Sequence, residues 1–241
     1  MKIGIVSDIH GNIIALKAIL NHIKNENCDY IYFLGDTIAI GPFPKECIEL
    51  ILSLSNAKCV LGNHEEYFIS GILDDSLYLM SEGEKKHQLW VASLLNDNIK
   101  ENIRKFPYII NETIEGVRVS FLHYGLNNNT IKKTFKNIEK NITCETMDAL
   151  FENIDADMIF YGHEHSRSNI KGKKHYINVG SSGCTKSNST HYTTVVFDNY
   201  KYEITTNTIN YDKEQVLKEL NSRNVPEKEF IAKIFFNSNL S

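Results

Sequence analysis

The stretch Lys2-Ile3-Gly4-Ile5-Val6-Ser7-Asp8-Ile9-His10-Gly11-Asn12 decides the fold. It opens with a short apolar, β-branched run, as a buried strand requires, and the run stops at the polar pair Ser7-Asp8. After Gly11-Asn12 the period changes, and Ile13, Leu16, Ile19, Leu20 and Ile23 fall on one face of a helix. A second strand is expected over residues 30–34, ending at Gly35-Asp36, and a helix over about 44–54 after Gly41-Pro42. A third strand over 58–61 ends at Gly62-Asn63-His64. Strand–helix–strand–helix–strand is the signature of parallel pairing with right-handed crossovers.

Downstream, residues 66–105 read as mostly helical, with Leu89, Trp90, Ser93, Leu94 and Leu95 as a face. Pro107 begins a strand-rich half, with strands near 107–113, 116–123, 156–161, 169–171, 175–179, 191–198 and 201–208. Glu115-Gly116 and Asp198-Asn199 punctuate two hairpins. A helix near 144–152 precedes the 156–161 strand. Asp212-Lys213-Glu214-Gln215 resembles a capping box, and Pro226 suits the first turn of a last helix. In that helix Phe230, Ile231, Ile234 and Phe235 form an apolar stripe, which fits core packing or a contact between two copies. With no repeat, low-complexity tract or linker, one α/β domain over 1–241 with a helical insertion at about 66–105 is the economical reading.

Composition narrows the function classes. Of 241 residues, 42% are hydrophobic and 23% charged, ordinary for a globular chain with a substantial core. The formal net charge is −4 and no long Lys/Arg block occurs, which argues against an extended nucleic-acid surface. Cysteines at 28, 47, 59, 144 and 184 form no Cys-x-x-Cys pair, so reduced thiols are expected rather than a disulfide framework or a zinc ribbon. The first apolar run is too short for a signal-peptide core and no long apolar span follows, which predicts a cytoplasmic address and no membrane partner.

Polar clusters recur just beyond apolar strands: Asp8-Ile9-His10, Gly35-Asp36, Gly62-Asn63-His64, His123 and Gly162-His163-Glu164-His165. Ligands bind at that edge of an open α/β sheet, where strand ends converge and loops are free to carry function. Singly, each cluster is weak, since a lone Gly-Asp is usually a turn and a lone His after a strand is more often structural. Their joint order carries the signal.

The ordered set resembles the calcineurin-like metallophosphoesterases, whose pattern is D-x-H, GD, GNH, a single His and GHxH. The run from Ser7 to Asn12, the Gly41-Pro42 turn and Asn178-Val179-Gly180-Ser181 are similar to a compact bacterial and archaeal branch. The resemblance implies a four-layer α/β/β/α sandwich of two mixed sheets. It also implies two divalent ions, manganese first, with iron, nickel, cobalt or zinc as alternatives. Asp8, His10, Asp36 and His165 would hold one ion, and Asp36, Asn63, His123 and His163 the other. Imidazole and carboxylate suit such ions, and a two-metal site suits attack on a phosphate ester by a bridging hydroxide. His64 would protonate or hydrogen-bond the leaving oxygen, against the alternative that it only braces the ligands.

Departures from the family pattern bear on substrate. Gly35-Asp36-Thr37-Ile38-Ala39-Ile40-Gly41 puts Ile40 where the protein phosphatases of this superfamily carry a phosphate-binding Arg, although Glu65 is shared with them. A protein-phosphatase role is therefore not expected. Glu164 reads as a solvated side chain, and Tyr124 either narrows the rim of the second site or packs on its loop. Arg167 is the candidate substrate contact, with Lys186 beside it. Phe43 either flanks a base or packs on its helix, and His191 and Tyr192 read as structural. The expected activity is hydrolysis of small or nucleotide-like phosphate diesters. The alternatives are a phosphomonoesterase of the same fold and a non-catalytic scaffold like the retromer subunit.

Overall fold

The computed structural model describes residues 1–71, 80–127 and 134–240. In chain order the strands are β1 (Lys2–Val6), β2 (Tyr30–Phe33), β3 (Ala57–Cys59), β4 (Ile109–Ile114), β5 (Val117–Leu122), β6 (Met158–Tyr161), β7 (Ser168–Lys171), β8 (His175–Asn178), β9 (Ser189–Asp198) and β10 (Lys201–Asn210). The described helices are α1 (Ile13–Asn25), α2 (Pro44–Leu52), α3 (Asn63–Ser70), α4 (Glu82–Leu94), α5 (Asp97–Ile103), α6 (Cys144–Leu150), α7 (Lys213–Ser222) and α8 (Lys228–Phe236). The helical stretch expected over 66–105 thus resolves into three helices, and the part of it at 72–79 lies outside the described residues.

Two five-stranded mixed sheets result, in the orders β10-β9-β1-β2-β3 and β4-β5-β6-β8-β7. In the first, β1, β2 and β3 run parallel, with Ile5 opposite Tyr32, and β9 is antiparallel to β1. In the second, β5, β6 and β8 run parallel, with β4 and β7 antiparallel at the edges. The sheets face each other through Ile3, Ile5, Tyr32, Val119, Phe121, Phe160 and Val195, all fully buried or nearly so. Across that interface the Tyr32 and Phe121 rings stack with centroids 3.8 Å apart. Helices α1 and α2 cover the outer face of the first sheet, and α6 the outer face of the second. This is the four-layer α/β/β/α sandwich.

Local chemistry sets the element ends. The Asn12 side chain accepts the N–H of Ala15 at 3.0 Å and starts α1. Both hairpin turns place two residues at positive φ, Glu115-Gly116 and Asn199-Tyr200, as two-residue hairpin loops require. The turns dock on one another, Tyr200 N–H donating to the Glu115 carbonyl at 2.8 Å.

Three details differ from the sequence reading. Helix α4 buries His87, Gln88 and Val91, with Leu95 just beyond its end, while Leu89 is 63% exposed; the helix turns its polar stripe inward because that stripe borders the site described below. Asp212 caps α7 through the Gln215 N–H at 2.9 Å, but the Gln215 side chain turns to Glu219 instead of closing the box. Pro226 precedes α8, whose N-cap is Glu227, and its free carbonyl accepts from His87.

The Phe121→Ala substitution should remove the stacked ring between the sheets and cost about 3–5 kcal/mol of unfolding free energy. A urea titration measures it, and a loss below about 1 kcal/mol would contradict this packing.

Candidate metal centre

All six parallel strands point their carboxyl ends at one edge. The loops that leave them are fused by backbone hydrogen bonds. Asp8 N–H donates to Gly35 O, His10 N–H to Asp36 O and Gly11 N–H to Thr37 O, so two loops continue the β1–β2 pairing past the strands. Ser182 and Gly183 N–H groups donate to Ser7 O and Asp8 O, which brings in the loop after β8. Glu65, in the first turn of α3, accepts the N–H groups of Asp36 at 2.7 Å, Thr37 at 2.8 Å, Ile38 at 3.2 Å and Gly62 at 3.0 Å.

Tight turns present the side chains. Asp8, His10, Asp36, His163 and His165 all sit at positive φ, between 46° and 73°. Such backbone costs on the order of 1–3 kcal/mol per non-glycine residue and persists only where surroundings over-determine it. Glycines make room beside them: a Cβ on Gly62 would lie 2.2 Å from Asp36 Oδ1, and one on Gly162 2.4 Å from Asp8 Oδ2.

The predicted ligand atoms converge. His10 Nε2 lies 2.9 Å from His165 Nε2, 3.7 Å from Asp8 Oδ1 and 3.8 Å from Asp36 Oδ2. On the other side of Asp36, His123 Nε2 lies 3.2 Å from Asp36 Oδ2, 3.0 Å from Asn63 Oδ1 and 3.1 Å from His163 Nδ1. His123 Nδ1 donates to Leu34 O at 2.8 Å, which leaves Nε2 as the nitrogen facing the cluster. The structure therefore brings all seven residues together, with Asp36 in the middle.

Burial opposes charge on both carboxylates, but imidazoles outweigh it. His10 and His123 hold Asp8 at about 2, and His123 with His64 holds Asp36 well below the usual range. For His123 burial is likewise opposed and overcome, by Asp36, which raises its pKa to about 9. Burial keeps His163 and His165 neutral, each with a pKa of about 4. Two ionised carboxylates buried among facing ring nitrogens form a cation-seeking environment. Oxygen and nitrogen ligands of this kind fit borderline divalent ions. Asp36–His123–His163 and His10–Asp36–His64 each place one ligand atom per residue within 4.8 Å of one another.

His64 stands beside the cluster, its ring centroid 5.2 Å from that of His10. Its backbone N–H donates to Asp36 Oδ1 at 3.0 Å, and Gln88 Nε2 approaches its ring Nδ1 at 2.7 Å. With the Gln88 amide donating, Nδ1 is occupied and Nε2 carries the proton; burial lowers the pKa to about 3. The next residue, His87, accepts the Ile40 N–H at Nε2, 2.7 Å, and donates from Nδ1 to Pro226 O, 3.1 Å. That pattern requires a neutral ring, and burial lowers its pKa to about 4.

Other residues fall as follows. Arg167 is exposed and lines a cavity with His165, Lys186 and His191. Glu164 borders the same cavity. Tyr124 is buried, its ring 4.9 Å from that of His163, so it packs behind that ligand. Phe43 packs against α1 and α2 under the Arg223 guanidinium, away from the cluster. Tyr192 is buried and paired with His22 at 2.9 Å.

Sequence reasoning missed Gln88 and Cys184. Cys184 falls within 4.8 Å of ligand atoms of His10 and His165, although burial and then Asp8 raise its pKa well above the usual thiol value and keep it protonated. Its place after β8 was the available signal; Gln88, inside a helix, offered none.

A model of the calcineurin-like phosphoesterases matches residues 1–167, and the chain belongs to that family of metal-dependent phosphoester hydrolases. An uncharacterized protein of Methanocaldococcus jannaschii is 30% identical over 93% of this chain and 94% of its own length. The symmetrical bis(5'-nucleosyl)-tetraphosphatase of Proteus mirabilis is 26% identical over 66% of this chain and 58% of its own. The crystal structure of a metallophosphoesterase from Sphaerobacter thermophilus superimposes with a TM-score of 0.71 at 22% identity, covering 94% of this chain and 95% of that one. Among the described residues no helix is long and apolar enough to cross a membrane.

The neutral His87 clamp has a pH signature. Its folded pKa, about 4, lies below the unfolded value of 6.5, so the unfolded state binds more protons between these pH values and stability falls as pH drops through them. Relative to a His87→Gln variant, the wild type should lose up to about 3 kcal/mol between pH 7 and 4. Chemical denaturation across that range tests this, and a pH-independent difference would refute it.

Proposed function

We propose that the chain hydrolyses small or nucleotide-like phosphate diesters using two divalent ions, with manganese the first to test. Asp8, His10, Asp36 and His165 would hold one ion; Asp36, Asn63, His123 and His163 the other. The observation that carries this reading is the central Asp36 carboxylate, whose Oδ2 faces His10 Nε2 at 3.8 Å and His123 Nε2 at 3.2 Å. When bound, such ions lower the pKa of a water and offset charge on the phosphoryl oxygens.

The protein side chains supply the rest. His64, with Nδ1 accepting from Gln88, directs its Nε2–H as a hydrogen-bond donor towards the leaving oxygen. Gln88 is then a positioning residue that fixes the tautomer. Arg167, on the flank beyond His165, is the candidate contact for a second anionic group.

Two points favour a diester. Ile40 is buried, and its N–H is engaged by His87, so no guanidinium clamps a dianionic phosphoryl group there. The Proteus mirabilis relative carries the name of an enzyme acting on a dinucleoside polyphosphate. A cytoplasmic setting suits five cysteines that are all free.

The test is hydrolysis of bis(p-nitrophenyl) phosphate and p-nitrophenyl phosphate by metal-stripped chain resupplied with Mn, Fe, Ni, Co, Zn or Mg. Two ions per chain and faster diester turnover are expected. Asp36→Asn should lose metal, whereas His64→Ala should keep it and lower kcat by about 10²–10⁴-fold. A fully metal-loaded wild type that hydrolyses neither ester would overturn the reading.

A further inference from the structure

Two cavities border the cluster, one lined by His64 and the other by His165, and of the residues that line them they share Phe235 alone. They differ in character. The one beyond His165 carries Arg167 and Lys186. The other opens at His64, has a volume of about 310 Å³, and is walled by Ile40, Phe230, Ile231 and Phe235. That volume lies at the small end of the range for ligand pockets, about 300–1,000 Å³, and suits one arm of a substrate.

The His64 cavity has chemistry of its own. Among the described residues Glu84 and Glu227 line it, and no Lys or Arg does. The Glu227 side chain packs against Gly83, where a Cβ would lie 2.5 Å from its carboxyl carbon, so the starts of α4 and α8 are sealed together along one wall. Phe230 is 56% exposed and, with Phe235, offers aromatic surface to this cavity beside its polar residues. Among the described residues an anionic arm would meet two carboxylates and no cation here. A flat ring bearing N–H groups would stack on phenyl faces and donate to the carboxylates.

Position supplies the orientation. His64 lines this cavity and is the proposed hydrogen-bond donor to the leaving oxygen, so the group filling the cavity is attached to the oxygen that His64 contacts. We propose that the cavity between α4 and α8 receives the leaving-alcohol arm of the diester, and that this arm carries an amino-bearing aromatic base. The Arg167–Lys186 flank then takes the other, anionic side of the substrate. This rests on the hydrolase reading above.

Adenosine, which lacks phosphate, probes the cavity without the metal centre. Calorimetric titration of the metal-free full chain should show saturable binding at millimolar concentration or tighter. Phe230→Ala, at an exposed position, should weaken binding at least 10-fold, and Glu84→Lys should weaken it as well. With manganese-loaded chain, adenosine should inhibit bis(p-nitrophenyl) phosphate hydrolysis competitively, and Phe230→Ala should relieve that inhibition. Diester turnover without adenosine binding, or with binding indifferent to both substitutions, overturns the cavity assignment and leaves the hydrolase reading intact. Adenosine binding without turnover of any ester sinks the hydrolase reading and, with it, the role of the cavity as a leaving-group site.

Discussion

The two oxygens of Glu65 accept backbone N–H groups from Asp36, Thr37, Ile38 and Gly62, drawing loops from two different strands onto one side chain. Charge-assisted bonds of this kind are roughly twice as strong as neutral ones. Here they act on the residues that need most restraint. Asp36 is held at φ 52°, and Ala39 and Ile40 follow at 70° and 58°. Without a buried acceptor at Glu65, four N–H groups would lack a partner and the β2 loop would lose the shape that puts Asp36 between the two halves of the cluster.

The same logic extends to the whole edge. Five candidate ligand residues in left-handed backbone cost, together, on the order of 5 kcal/mol or more, comparable with the entire net stability of many domains. The sandwich beneath sustains this because its interior is rigid and apolar, with Tyr32, Phe121 and Phe160 stacked between the sheets. Loop-to-loop hydrogen bonds, such as Gly41 N–H to His10 O and Gly183 N–H to Asp8 O, complete the frame. Stability made in the core is thus used to hold strained geometry at the rim.

Much of this was legible beforehand, for a physical reason. Period-two and period-3.6 patterns report which face is buried, so the strands and α1 could be read directly from Ile3, Ile5, Leu16 and Ile19. Polar residues directly after such runs, Asp8, Asp36 and His123 among them, must lie at the sheet edge. What failed was any inference needing the third dimension. The exposed Leu89 mimicked a core position, because α4 is amphipathic in the opposite sense when its polar side packs against a site. Gln88 reaches the cluster from inside a helix and leaves no local trace in the sequence, whereas Cys184 was marked only by its place after β8. Glu65 was visible as a residue but not as an acceptor for loops far from it in sequence.

The last of the seven convergent ligand residues is His165, whereas the aromatic wall beside His64 belongs to α8, beginning at Lys228. Phe235 ties the two together, its ring centroid 5.8 Å from that of His165, while Phe230 on the same helix is exposed. A change of side chain at Phe230 would therefore reshape that wall and leave the convergent carboxylates and imidazoles where the sheet-edge loops hold them.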